Sequence, residues 1–207
     1  MNDLLVMQFA KWPKLGNVKT RLAASIGDDK ALQVHMALMS EVLNKLIPAK
    51  REGVAEIELW LNEIPKARGL MEGVLNLVRC EQIECKSQKG NNLGDKMANA
   101  IESSLQIYKK VIIVGSDCPN ISTQIIKEAS EALTTNDIVL GPAEDGGYVL
   151  IGASKFNAEI FKEVIWGKGA VFDKTVENIE LLNLRYSTLE ESWDVDDLAD
   201  YERWCKR

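Results

Sequence analysis

Histidine is almost missing from this chain: among 207 residues there is one, His35. Mechanisms that need two or more imidazoles, including most zinc hydrolase sites, are thereby excluded, and catalysis has to rest on carboxylates, lysine and arginine. Cysteine is sparse. Cys80, Cys85, Cys118 and Cys205 show no C-x-x-C spacing, which suits free thiols in a reducing cytoplasm better than a secreted disulfide framework. No apolar run approaches the ~20 residues of a membrane span, and Leu4–Ala10, interrupted by Gln8, is not preceded by a basic segment. A membrane partner and a targeting segment are therefore not expected. A positive balance is also lacking, because the net charge is −6, and nucleic-acid readers of this size are usually basic. Neither a Walker A sequence nor a G-x-G-x-x-G occurs, so the common phosphate-binding fingerprints are absent.

What is present is ordinary globular composition, 46% hydrophobic and 27% charged, in a length that predicts one domain over residues 1–207. Short β-branched runs alternate with stretches of helical period. Strands are expected at Leu4–Phe9, Ile57–Leu61, Leu77–Cys80, Val111–Gly115, Ile138–Leu140 and Tyr148–Ile151, with a weaker one near Leu184–Ser187. Helices are expected at Asp29–Leu46, Leu93–Tyr108, Thr123–Leu133, Ala158–Val164, Val171–Leu182 and Leu198–Cys205. This order predicts an α/β fold, three-layer α/β/α with a mostly parallel sheet. Such sheets bind ligands beyond the carboxyl ends of their strands, so the loops after the strands carry the chemistry.

After the first strand comes Ala10-Lys11-Trp12-Pro13-Lys14-Leu15-Gly16-Asn17-Val18-Lys19-Thr20-Arg21-Leu22, running into a helix. No acid stands between Asp3 and Asp28, whereas Lys11, Lys14, Lys19 and Arg21 all fall here. Gly16 permits close backbone approach and Lys19 and Arg21 can neutralise phosphate oxygens, so a di- or triphosphate fits this loop; a solvated basic turn is the plainer alternative. Asp117 follows the strand Val111–Gly115 in Ser116-Asp117-Cys118-Pro119, a position from which a carboxylate can hold Mg²⁺, or simply form a turn. In Gly141-Pro142-Ala143-Glu144-Asp145-Gly146-Gly147-Tyr148 the paired glycines and Asp145 suit a ligand or a plain hairpin turn.

Near the C-terminus Asp197 and Asp200 read as a helix cap, which leaves Asp194 and Asp196, sharing one face by strand period, free for a metal. The segment Gln88-Lys89-Gly90-Asn91-Asn92-Leu93-Gly94 reads on its chemistry as a turn before a helix. His35 lies on the Ala31/Leu38/Val42 side of an amphipathic helix and reads as a packed or hydrogen-bonded residue. Cys118 reads as packing.

Taken together, Phe9-Ala10-Lys11-x-Pro13-x-x-Gly16-x-Val18-Lys19-Thr20-Arg21-Leu22, Gly115-Ser116-Asp117-Cys118-Pro119, Gly141-Pro142-Ala143-Glu144-Asp145-Gly146-Gly147-Tyr148-x-Leu150-Ile151-Gly152 and Asp194-Val195-Asp196 resemble the bacterial selenodomain-associated transferases. That family belongs with the nucleotide-diphospho-sugar transferases of glycosyltransferase-A fold, and the first loop is similar to that of phospholactate guanylyltransferases. The resemblance implies a nucleotide site made by Lys11, Gly16, Lys19 and Arg21 together with Gln88, Gly90, Leu93 and Gly94. It implies a divalent cation, Mg²⁺ or Mn²⁺, at Asp117, and because Cys118 stands where a second aspartate would, a remote partner such as Asp196 completes that site. Acceptor contacts are expected from Asp145, Gly146, Gly147 and Tyr148, and the reacting residues are Lys19, Arg21, Asp117 and Asp145. The chain departs from the family pattern at Asp197 and at Trp166-Gly167-Lys168. The expected activity is metal-dependent transfer from a nucleotide or nucleotide-sugar donor to a small acceptor, as a glycosyltransferase. Nucleotidyl transfer is the alternative, since Lys19 and Arg21 suit a leaving pyrophosphate. A nucleotide-binding module without turnover is the third reading.

Overall fold

A computed structural model describes residues 3–64, 72–167 and 169–207. Strand β1 (Leu4–Ala10) is buried at every position, as a central strand covered on both faces must be. It lies between β2 (Glu56–Leu61) and β4 (Lys110–Gly115), both parallel to it. Beyond β2 is the parallel edge strand β3 (Glu84–Ser87). On the other side β6 (Tyr148–Ala153) runs antiparallel to β4 and to β5 (Ile138–Pro142), and β7 (Tyr186–Thr188) closes that edge parallel to β5. The sheet order is β3-β2-β1-β4-β6-β5-β7. The chain winds outward in one direction through β2 and in the other through β4, which makes the gap between β1 and β4 the switch point where α/β sheets take ligands.

Helices cover both faces. On one, α2 (Asp28–Arg51), α3 (Glu72–Cys80) and α5 (Thr123–Ala132) supply Met39, Leu43, Val74, Val78 and Ile126 to a core shared with Val6, Leu59, Ile112 and Val139. On the other, α4 (Leu93–Leu105) and α6 (Val171–Leu181) bring Met97, Ile101 and Ile179 against Leu5, Met7, Val111 and Ile151. A smaller core joins α1 (Thr20–Ile26) and α7 (Leu198–Cys205) to α2 through Leu22, Val34 and Leu38, and clamps Trp193 and Val195. The expected cap of α7 is present: the Asp197 side chain accepts from Ala199 N and Asp200 N, while Asp200 accepts from Asp197 N.

The α/β three-layer reading holds, and individual elements differ. The expected strand Leu77–Cys80 is the end of α3, whose Val74, Leu75 and Val78 face the core at helical spacing. The next strand, Glu84–Ser87, has only half-buried or exposed residues and therefore no apolar signature. Helix Ala158–Val164 is a single 3-10 turn, Ala158–Phe161. Lys168 lies outside the described residues. None of the described helices is long and apolar enough to cross a membrane.

Candidate functional site

A cleft of about 680 Å³ opens at the carboxyl ends of β1 and β4, within the size range of small-molecule sites. The basic loop forms one wall. Lys19 stands at the N-cap of α1 with a left-handed backbone, φ 50°, and its side chain runs inward until the residue is only 8% exposed. There its ammonium meets Asp117 Oδ2 at 2.7 Å and donates to the Val195 carbonyl. The pair bridges the gap between β1 and β4.

Asp117 follows β4 at the cleft, and its other carboxylate oxygen, Oδ1, is buried without a hydrogen-bond partner. Val195 N donates to the Asp117 carbonyl, and Ser192 is tied to Pro142 and Glu144, so the C-terminal segment is strapped across the strand ends. Because Trp193 and Val195 are buried in the small core under this strap, the alternate residues Asp194 and Asp196 turn to the cleft, which both line. Burial pushes the Asp194 carboxyl up to about 6, and the negative charges of Asp145, Asp117 and Asp196 add to that effect while Lys19 opposes it. Asp196 is ion-paired at 2.6 Å with Arg21, and both are substantially solvent-exposed.

Of the other residues expected at the site, Lys11, Gln88, Leu93, Asp145, Gly147 and Tyr148 line the cleft. The Gln88 amide donates to the Ala10 and Trp60 carbonyls, which fixes this loop to β1 and β2. Gly90 packs against the backbone of Asp95 and Lys96, and Gly94 packs under Trp166, with a hypothetical Cβ 2.9 Å from that indole. Both glycines thus serve the seating of α4. Gly16 has φ +74° in the basic loop; neither it nor Arg21, Gly90, Gly94 or Gly146 lines the cleft. Burial raises the pKa of the Tyr148 hydroxyl, with Thr175 opposing, so Tyr148 offers the cleft its ring, edge-on to Trp166. Cys118 is buried beside Ser192, and burial pushes its thiol up, which leaves it unreactive.

The Asp145-Gly146-Gly147 segment is the β5–β6 turn: Gly147 N donates to Asp145 Oδ1 at 2.8 Å and Gly146 N to the Ala143 carbonyl. The two glycines are not equivalent. Gly146 has φ +82° and a Cβ there would stand 2.2 Å from the Gly169 carbonyl oxygen, whereas at Gly147 the closest atom is Asp145 Oδ1 at 3.0 Å. Gly146→Ala is expected to cost more than about 3 kcal/mol from backbone strain and overlap. Gly147→Ala needs only an adjustment of the Asp145 tip and is expected to cost about 1 kcal/mol. Denaturant unfolding of both variants checks that order, and equal stability would contradict it.

Sequence reasoning passed over the cleft role of His35. It is buried, as expected of its helix face, but it also lines the cleft, with Nε2 3.0 Å from the Lys11 carbonyl and Nδ1 3.9 Å from Asp117 Oδ1. Nothing in the period of α2 distinguishes it from a core residue. Trp166, in the segment where the chain departs from the family pattern, lines the cleft, as does Lys96, which carries no motif of its own.

Comparison with known proteins agrees with this architecture. A protein from Desulfovibrio desulfuricans G20, assigned to the nucleotide-diphospho-sugar transferases, superimposes with a TM-score of 0.84 at 28% identity, over 99% of this chain and 87% of that one. A cytidylyltransferase from Leptospira borgpetersenii shares the fold at a TM-score of 0.61 and 12% identity, covering 99% and 85% of the two chains. Glucosyl-3-phosphoglycerate synthase from Mycobacterium tuberculosis, solved with Mn²⁺, UDP and glucosyl-3-phosphoglycerate, shares it at 0.56 and 10%, covering 98% and 75%. No curated protein matches the chain. The family model described as an uncharacterized protein conserved in bacteria, DUF2064, matches residues 46–168, and the chain belongs to that family.

Proposed function

We propose that this chain is a transferase that binds a nucleotide donor, together with Mg²⁺ or Mn²⁺, in the cleft between β1 and β4, and passes a glycosyl group to a small acceptor. The observation that carries this reading is the group of Asp117, Asp145, Asp194 and Asp196 at the sheet's switch point, balanced inside the cleft by the buried Lys19. Among the described residues no three His, Cys, Asp or Glu side chains already form a metal cage. A hard cation that also binds substrate phosphates needs only one or two carboxylates, and the unpartnered Asp117 Oδ1 and the disfavoured charge of Asp194 fit it. Asp117 and Asp194 are the residues that would hold it, with Asp196, the partner expected from sequence, next in line behind its pair with Arg21. A divalent cation there supplies charge neutralisation to the diphosphate and its departing oxygen.

The protein's own groups do the rest. Lys19, pinned between Asp117 and the Val195 carbonyl, presents its charge in a position that costs no reorganisation. Lys11 extends that positive wall for the phosphates, with Arg21 outside the cleft behind its pair with Asp196 and Gly16 shaping the loop, and the Gln88–Gly94 loop with Leu93 faces the nucleoside. Asp145, Gly147 and the Tyr148 and Trp166 rings surround the acceptor, and Gly146 holds their turn. The D. desulfuricans relative supports the donor class.

The density of cations on the first loop favours a second reading, transfer of a nucleotidyl group with pyrophosphate leaving. Incubation with nucleoside triphosphates and nucleotide sugars plus Mn²⁺, monitored by ³¹P NMR, separates the readings. Nucleoside diphosphate released from a nucleotide sugar, with its glycosyl group on an added small acceptor, identifies glycosyl transfer, and pyrophosphate released from a nucleoside triphosphate, with its nucleotidyl group on the acceptor, identifies nucleotidyl transfer. Absence of both, with nucleotide bound, would leave a binding module. Lys19→Ala is expected to weaken nucleotide binding tens-fold by calorimetry, the worth of a charge-assisted hydrogen bond. Unchanged affinity in a folded variant would remove Lys19 from the site.

A further inference from the structure

Helix α2 turns Ala31, Val34, Leu38, Met39 and Val42 into the protein, and among them His35 is only 3% exposed. Burying an imidazole on an otherwise aliphatic face is costly unless its nitrogens are used. One is used structurally. The Lys11 carbonyl can only accept, so the nitrogen 3.0 Å from it, Nε2, carries the proton. With its one proton on Nε2, the neutral ring leaves Nδ1 a bare acceptor. It faces Asp117 Oδ1, another acceptor, at 3.9 Å, beyond hydrogen-bond distance, and that oxygen is buried without a partner. Two acceptors so placed call for a proton donor between them.

We propose that His35 is a positioning residue for the cation site: Nδ1 accepts a hydrogen bond from a water of the hydrated cation held by Asp117, while Nε2–H fixes the Lys11 carbonyl at the root of the basic loop. The inference rests on the cation reading above. Hard divalent cations such as Mg²⁺ keep several waters in mixed carboxylate and phosphate sites, which supplies the donor. Asp117 is then steadied by Lys19 at Oδ2, and the cation's water beside Oδ1 is held by His35. Outer-shell partners of this kind are worth roughly 10- to 100-fold in metal affinity.

Two substitutions separate the two nitrogens. His35→Gln keeps an N–H for the Lys11 carbonyl and loses the acceptor toward Asp117; His35→Asn keeps an acceptor near the Nδ1 position and loses the tether. Free Mn²⁺ is monitored by electron paramagnetic resonance on the full chain in the presence of UDP, alongside thermal melts. His35→Gln is expected to bind Mn²⁺ roughly 10- to 100-fold more weakly, and His35→Asn to stay within a few-fold of the parent, although His35→Asn is the less stable of the two. His35→Gln binding Mn²⁺ as the parent does overturns the proposal, as does an affinity loss in both variants that merely tracks their stability. The single imidazole also gives an unambiguous ¹⁵N spectrum. The metal-free protein should show a neutral ring protonated at Nε2, and Mg²⁺ should move the Nδ1 resonance upfield while Nε2 stays. A still Nδ1 at saturating Mg²⁺ overturns the proposal with the cation reading intact. A parent protein that binds no Mn²⁺ at all overturns both.

Discussion

Asp117→Asn is expected to destabilise the metal-free protein by about 2 kcal/mol, less than the ~3 to 5 kcal/mol of breaking a fully buried ion pair because the Asp117 side chain is 35% exposed while Lys19 is buried. Lys19 is 8% exposed and its ammonium sits 2.7 Å from Asp117; an amide still accepts its hydrogen bond but leaves the charge unbalanced. In a chain of 207 residues this corresponds to a fall in melting temperature of roughly 4 to 8 °C. Clustered carboxylates alone argue for the opposite sign, because removing one relieves repulsion. Lys19 reverses it at this position. Differential scanning calorimetry in chelator decides the matter, and a melting temperature at or above that of the parent would show that the pair contributes nothing.

Asp194→Asn should move stability the other way. Asp194 has no ion-pair partner among the described residues, and burial together with its acidic neighbours holds its carboxyl up at about 6, from the ordinary 3.8. It binds its proton more tightly in the folded state than in the unfolded one. Its contribution to stability is therefore complete below about 3.8, is lost as the pH rises toward 6, and stays lost above that. The cost at neutral pH is on the order of 3 kcal/mol. Asp194→Asn is expected to recover part of it, raising the metal-free melting temperature at pH 7 by several degrees and flattening the pH profile between about 4 and 6. Mn²⁺ affinity should fall in the same variant. A stabilised protein that binds metal more weakly is the signature of a site, whereas loss of stability at pH 7 would make Asp194 structural.

The layers of the fold were legible because β1, β4, β5 and β6 are short, apolar and β-branched, as central strands buried on both faces must be. The failures lie where that signal is physically absent. Leu77–Cys80 is a short apolar run, and such a run does not separate strand from helix until the residues upstream reveal the face shared by Val74 and Val78. Glu-Cys-Lys-Ser in β3 is an edge strand with no buried face. The candidate cleft was legible as loops, since a parallel sheet gathers the segments leaving its strands along one edge. The pairing inside it was not. The alternation of Asp194 and Asp196 with the buried Trp193 and Val195 was legible as a strand period, but that Lys19 folds back on Asp117 and that Arg21 engages Asp196 depend on how the strap from Ser192 to Asp196 is fastened across the strand ends, which no local pattern announces. His35 was hidden by its own helix: one side of α2 serves the core and the cleft alike.

The central claim is that the carboxylates at the β1–β4 switch point hold a cation that binds the donor's diphosphate. Anomalous diffraction at the manganese edge, from crystals grown with Mn²⁺ and UDP, tests it most directly. One manganese peak is expected within roughly 2.5 Å of a carboxylate oxygen of Asp117 and of Asp194, in contact with the diphosphate, with Lys19 beside it. UDP seated in the cleft with no manganese at Asp117, or manganese bound only to acids elsewhere, would contradict it.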